Sequence, residues 1–212
     1  MGNGEQQKKL SARAGPGQRP WYKAGNYLAT DDLLTEQSYR LQRLRRHNRY
    51  MHGWGIVCGL RVVPARDAAR PWGVIVCPGY AITCCGDEVE VLNPTPLDIR
   101  EHVWARPQVG GKPVPVAYIG IRYAEEQGSP VLARNLSCDC DEIGYYSRIR
   151  DGFQISVLWE NPAITNEVFD LCGGNPAPCP ECGENQYIVL ARITLPNSEG
   201  NLITLEHIDI ST

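Results

Sequence analysis

From residue 54 onward, the chain is a succession of short β-rich runs separated by glycine and proline, and this pattern restricts the possible fold. The runs are 56–63, 74–77, 80–84, 88–92, 114–123, 153–159, 187–195 and 202–210. Turn residues such as Pro78-Gly79 and Gly86-Asp87 stand between them. About eight short strands joined in this way are typical of a sandwich or barrel-like β domain. We therefore predict a mainly β domain over 54–212.

Two longer intervals, 124–152 and 160–186, are rich in glycine, proline, cysteine and acidic residues. They are long for connections without an organiser, because most connections in compact domains are only a few residues long. We predict cysteine-rich loop insertions at about these positions.

One N-terminal amphipathic α-helix is predicted over 30–53. Asp31 and Asp32 supply negative charge to its first turn, and Gly53 is a natural residue to follow its last turn. Positions spaced by three, four or seven residues form one stripe, which consists of Leu34, Leu41, Leu44, Asn48 and Met51.

Residues 1–29 are predicted to be an extended arm. Glycine, glutamine, lysine and proline dominate this segment, and its apolar residues follow no period. Such an arm would be ordered by another chain, with Trp21, Tyr22 and Tyr27 as its anchors.

Charge is unevenly distributed along the chain. Residues 1–70 contain 13 Lys and Arg against 5 Asp and Glu, whereas residues 71–212 contain 8 against 19. A basic and an acidic end suit head-to-tail or arm-to-neighbour association. The candidate residues for meeting an acidic partner are Arg40, Arg43, Arg46 and Arg49, although a solvated basic helix face explains the same residues. A nucleic-acid partner is not expected, because the rest of the domain lacks basic character.

The cysteines between 138 and 182 predict a structural zinc site. Cys179 and Cys182 have the spacing of a zinc knuckle, and Cys138 and Cys140 form a second pair, with Cys172 as an alternative ligand. An all-cysteine set favours a structural over a catalytic metal. Disulfides and unmetallated thiols remain alternatives.

The remaining cysteines are Cys58, Cys77, Cys84 and Cys85. Apolar neighbours favour a role as small core residues for Cys58, Cys77 and Cys84. A second metal site or a cross-strand disulfide is the alternative.

No targeting segment or membrane span is visible, so we expect synthesis in the cytoplasm, reduced thiols and no membrane insertion. The four histidines form no metal-binding helix motif. Neither a nucleophile elbow nor a phosphate-binding loop occurs. We therefore expect a protein that is not an enzyme.

Four segments of the chain share a recognisable pattern: 31–39, 78–82, 86–89 and 46–62, the last of which contains His52-Gly53-Trp54-Gly55-Ile56-Val57-Cys58-Gly59-Leu60. These segments resemble a poorly characterised family associated with phage tail-like contractile injection systems. The resemblance covers roughly residues 25–95 and implies a baseplate or fibre-attachment component.

We interpret the chain as a structural subunit of such a particle or of a related phage assembly. It would contact other protein subunits through arm, helix and β surface, would form a homo-oligomer, and would belong to a virion-like or extracellular particle. One alternative is a zinc-stapled module that binds protein or carbohydrate. The other is a particle-associated hydrolase.

Overall fold

A computed structural model describes residues 17–133, 143–162, 187–196 and 200–210. The chain forms two compact units that divide between Arg45 and Arg46. The described residues contain one long N-terminal α-helix and twelve strands in four small sheets. The predicted class, a mainly β protein with one N-terminal helix, is confirmed. The described strands outnumber the eight expected, because the run 56–63 divides into two strands and three further strands lie at 95–98, 108–109 and 112–113, where none was expected.

Helix α1 spans Thr30–His47, and a wider helical turn, Asn48–His52, continues it. At its start, Ala29 N–H donates to a carboxylate oxygen of Asp32 at 3.0 Å, and Asp32 N–H donates back to Ala29 O at 3.1 Å. This exchange satisfies backbone groups that a helix start leaves free. Gly53 follows with φ +77°, a left-handed conformation that favours glycine.

The strands pair in antiparallel fashion within four sheets. They are β1 (Gly55–Gly59), β2 (Val62–Pro64), β3 (Gly73–Val76), β4 (Gly79–Ile82), β5 (Glu88–Val91), β6 (Thr95–Asp98), β7 (Gln108–Val109), β8 (Lys112–Pro113), β9 (Val116–Ala133), β10 (Ile143–Leu158), β11 (Ile188–Thr194) and β12 (Ile208–Asp209). The sheet orders are β1-β4-β5, β2-β3-β6, β10-β9-β11-β12 and β7-β8. Two short 3₁₀ turns, Ile99–Ala105 and Leu205–His207, accompany them.

The chain crosses twice between the two three-stranded sheets, once after β1 and once before β4. Gly59 and Gly79 lie in close contact where the two crossings meet. A Cβ on Gly59 would clash with Pro78 O, and a Cβ on Gly79 would clash with Leu60 N. Leu60 N–H donates to Pro78 O at 3.1 Å, and Leu60 itself has φ +54°. Close backbone approach therefore requires glycine at both positions.

Strands β9 and β10 are longer than expected. The interval 124–152 was predicted to be a loop, but residues 124–133 belong to β9 and residues 143–152 belong to β10, so this prediction is wrong for them. Gly152 pairs with Ala124, and Ile143 pairs with Ala133. Cross-strand pairing overrides the turn-like local composition. The second predicted loop, 160–186, lies almost wholly outside the described residues.

The hydrophobic core lies in the second unit and contains strand residues with a period of two. On β9 the buried residues are Ala117, Ile119 and Ile121, and on β11 they include Ile193. Trp72, which precedes β3, is 1% exposed. The guanidinium of Arg106 lies 5.7 Å from the centre of the Trp72 ring. Within the described part of the chain, no helix is long and apolar enough to cross a membrane.

Candidate partner-binding surfaces

In the first unit, aromatic residues of the arm are exposed. Trp21, Tyr22 and Tyr27 are 75%, 53% and 100% exposed, and residues 17–29 form no helix or strand. Tyr22 is nevertheless fixed, because its hydroxyl donates to Glu36 Oε2 on α1 at 2.5 Å. This hydrogen bond joins residues that are 14 positions apart and places the arm beside the helix.

Helix α1 buries none of its residues. Leu33, Leu34, Leu41 and Leu44 are between 39% and 54% exposed. In a helix that packs on its own domain, an apolar stripe of this kind faces the core. Of the predicted stripe, only Asn48, beyond the end of α1, is buried. These four leucines are therefore left uncovered by the part of the chain that the structure describes.

A groove of about 680 Å³ lies between the arm and α1. Its lining residues are Arg19, Pro20, Trp21, Tyr22, Glu36, Tyr39, Arg40 and Arg43. Arg40 binds Glu36 with both Nε and Nη2, at 3.0 and 2.6 Å. Arg43 lies over the Tyr39 ring at 5.9 Å. Guanidinium and aromatic groups of this kind suit an acidic or aromatic protein surface.

The electrostatics of this groove centre on Glu36. The hydrogen bond from Tyr22, followed by that from Arg40, lowers the pKa of the Glu36 carboxyl. The same hydrogen bond, as the largest cause, raises the pKa of Tyr22. The Glu36 carboxylate therefore stays ionised to lower pH than an unpaired glutamate, and its contacts join the arm to α1.

The second unit contains another groove, formed by the His52-Gly53-Trp54-Gly55 segment. Its volume is about 560 Å³. The groove is lined by Asn48, His52, Gly53, Trp54, Gly55, Ile56, Val57, Tyr80, Ile82 and Glu88. A Cβ on Gly53 or Gly55 would meet nothing within 4 Å, so both glycines border open space.

Asn48 anchors this groove to the turn between β4 and β5. Its side chain is buried, and Nδ2 donates to Gly86 O at 3.1 Å and to Glu88 Oε1 at 3.0 Å. Burial, followed by a hydrogen bond with Glu88, raises the pKa of Tyr80 to about 12. Glu88 is thus held in place by two neighbours at the rim of the groove.

Strand β1 forms one side of the same groove and lies at the edge of its sheet. No described strand pairs with β1 except β4. Ile56 and Val57 are 45% and 59% exposed. An edge strand usually carries charged residues or proline, which prevent it from pairing with a further strand. Ile56 and Val57 are apolar and give no such protection.

The predicted partner-binding residues are divided between the two units. Trp21, Tyr22, Arg40 and Arg43 line one groove, whereas Tyr27 is exposed outside its lining. Arg46 and Arg49 belong to the second unit, where Arg49 lies 5.6 Å from the Tyr50 ring centre. The four arginines therefore lie on both sides of the unit boundary.

The predicted zinc ligands, Cys138, Cys140, Cys179, Cys182 and the alternative Cys172, lie outside the described residues. Among those described, no group of three or more His, Cys, Asp or Glu side chains could hold a metal ion.

The other cysteines depart from the predicted core role. Cys58 is exposed and Cys77 is half-buried, both as free thiols, so burial of Cys58 was a wrong expectation. Cys84 and Cys85 are disulfide-bonded.

Sequence reasoning did not single out Ile56, Val57, Glu88 or the buried amide of Asn48 as functional. Asn48 could have been found as an asparagine within an apolar stripe, because a buried amide needs fixed partners. Ile56 and Val57 could have been found as two adjacent apolar residues after the Gly-Trp-Gly turn.

The fold and these surfaces define a mainly β protein with an exposed aromatic arm, an exposed helix and an open sheet edge. No protein-family model matches the chain, and no curated protein matches it in sequence.

Among solved structures, the chain is similar to a chain of the type VI secretion system TssK-TssF-TssG baseplate subcomplex, with a TM-score of 0.44 and 10% identity over 84% of this chain. It is also similar to TssK, with a TM-score of 0.44 and 11% identity over 91% of this chain. The match spans 56% and 42% of those two chains. A likeness at this level leaves the function to be inferred from the residues of the chain itself.

Proposed function

We propose that the protein is a structural subunit of a phage tail-like contractile injection particle or a related phage assembly. It acts by contacting neighbouring proteins through arm, helix and β surface, and it turns over no substrate. The resemblance of 31–39, 46–62, 78–82 and 86–89 to a family of such systems supports the kind of particle.

The observation that carries the proposal is the exposure of α1. In proteins, most of the stability of a helix comes from packing its apolar face rather than from intrinsic helix propensity. The four exposed leucines of α1 have no such use among the described residues of their unit. The neighbouring arm adds Trp and Tyr, the residues that most often dominate binding energy at protein interfaces. Helix and arm together form a surface that suits another protein subunit.

The proposal is tested by sedimentation of lysate from the cells that produce the protein, which measures the size of the complex that contains it. An epitope-tagged wild-type chain should sediment with a particle much larger than its own 23.6 kDa. The double variant Leu34→Glu with Leu41→Glu keeps residues of high helix propensity but places charge on the exposed stripe. This variant should sediment as free protein.

Leu92→Glu is the matched control, because Leu92 is exposed outside the helix. It should sediment like the wild type. A wild-type chain that sediments at its own mass, or a helix variant that remains in the particle, would contradict the proposal.

A zinc site built by Cys138, Cys140, Cys179 and Cys182, with Cys172 as the alternative fourth ligand, remains part of this proposal. Support comes from the Cys179–Cys182 spacing alone. Purified wild-type protein should contain zinc in stoichiometric amount, and Cys179→Ser with Cys182→Ser should lose it. Metal-free wild-type protein, purified without chelators, would remove the zinc site and leave the helix proposal intact.

A further inference from the structure

Among the described strands, β1 has one edge that pairs with no other strand. That side presents backbone N–H and C=O groups over five residues, or about 16 Å. Ile56 and Val57 of this strand are exposed and carry no charge. Such an edge is the template on which an extended peptide adds as a further strand.

The sheet face beside β1 suits a basic and aromatic peptide. Across this face, on β5 and two strands from β1, Glu88 lines the adjacent groove and Glu90 is exposed two residues further along. The whole second unit contains 13 Lys and Arg against 20 Asp and Glu. Open space at Gly53 and Gly55 leaves room for a large side chain beside the Trp54 segment.

The arm of the same protein has the complementary chemistry. Residues 17–23 belong to no helix or strand and contain Arg19 and Lys23 but no acidic residue. Trp21 is 75% exposed, and its ring has only the Lys23 ammonium, at 5.9 Å, as a described cation partner. Pro20 is compatible with this role, because proline is tolerated in edge strands.

We propose that the arm of one copy adds to β1 of a second copy, so that residues 18–23 pair along the free edge of 55–59. Trp21 enters the Gly53–Gly55 end of the groove, and Arg19 or Lys23 faces Glu88. This contact rests on the proposed structural role and names one partner, a second copy of the chain.

The contact joins two different surfaces and is therefore heterologous. Each copy retains a free arm at one end and a free edge at the other, so association continues into chains or closes into a ring. The contact is small beside a standard interface of roughly 1,600 Å², and we expect micromolar affinity. Opposite charges at the contact make it weaken as salt rises.

Two variants separate the two halves of the contact. Trp21→Ala removes the arm's anchor, and loss of such an anchor should weaken association by about thirtyfold. Val57→Lys places a charge on the free edge and should block strand addition. Trp104→Ala and Val109→Lys are matched controls, because both residues are exposed elsewhere in the second unit.

The experiment is sedimentation velocity of the purified full-length protein between about 1 and 200 µM, a range set around the expected affinity. Wild type and both controls should show mass that grows with concentration and falls with salt. Trp21→Ala should associate only at about thirtyfold higher concentration than the wild type, and Val57→Lys should remain monomeric, both with unchanged thermal unfolding. At concentrations where Trp21→Ala alone is still monomeric, an equimolar mixture of the two variants should form a dimer and nothing larger, because only one intact arm and one intact edge meet.

A wild-type protein that is monomeric throughout this range, including one whose arm folds onto its own edge, would overturn the inference. A mixture of the two variants that remains monomeric would also overturn it. Neither result would affect sedimentation of the tagged chain with a large particle, so failure here is distinguishable from failure of the proposed function.

Discussion

Helix α1 and strand β9 are the same length in residues, yet they use apolar side chains in opposite ways. Both span 18 residues. The leucines of α1 are all substantially exposed, whereas Ile119 and Ile121 on β9 are fully buried. The core residues contribute to the stability of their own unit, and the helix leucines contribute little to theirs. An apolar pattern in a sequence therefore marks a surface that will be covered, without saying whether the same chain covers it.

The largest expected effect tests the core side of this comparison. Ile119→Ala removes a fully buried side chain and leaves a cavity, which should lower the free energy of unfolding by about 3 kcal/mol. Ile149→Ala on β10 is the matched control, because Ile149 is exposed and its truncation should change stability by less than about 0.5 kcal/mol. Urea unfolding followed by circular dichroism measures both values. Equal losses in the two variants would contradict the assignment of the core.

An intermediate effect is expected at Asn48, the one buried residue of the predicted helix stripe. Asn48→Ala removes both hydrogen bonds and leaves Gly86 O without this donor, which should cost about 1–3 kcal/mol. Asn48→Asp should be worse at neutral pH, because it places a carboxylate beside the Glu88 carboxylate.

The stability of the Asn48→Asp variant should fall as the pH rises. Folding raises the pKa of the new carboxyl, so the protonated form stabilises the fold at low pH and this contribution is lost as the pH rises through the folded pKa. Urea unfolding at pH 5 and pH 8 should show a larger deficit relative to wild type at pH 8. A deficit that is equal at both pH values would show that Glu88 does not interact with position 48.

Much of the fold could be predicted from local pattern, but the length of β9 and β10 could not. The segment 124–133 contains acidic residues, Gly128 and Pro130, all of which favour turns. It forms a strand because it pairs with 143–152, which lies 10 to 28 residues further along the chain. Local propensity carries no information about that partner.

The sequence predicted which residues form the candidate surfaces, but not which of them lie together. Trp21, Tyr22, Arg40 and Arg43 were expected to bind partners, and the structure places them around one groove. Their grouping depends on the hydrogen bond from Tyr22 to Glu36, for which the sequence has no periodic signal. The open edge of β1 depends on sheet order, which is a tertiary property.

The smallest expected effect tests the helix side of the comparison, where polar contacts rather than burial hold the arm to α1. Because its folded pKa is lowered, the Glu36 carboxylate favours the arm-docked state above the ordinary pKa of 4.5. This contribution should disappear as the pH falls through the lowered pKa. NMR titration of the Glu36 carboxyl should give a pKa below 4.5 in wild type. It should give a higher value in Tyr22→Phe, because Tyr22 is the largest cause of the shift. Arg40→Gln should raise the value less, since its effect ranks second. A Glu36 pKa that is unchanged in Tyr22→Phe would show that the arm is not held to α1 by this hydrogen bond.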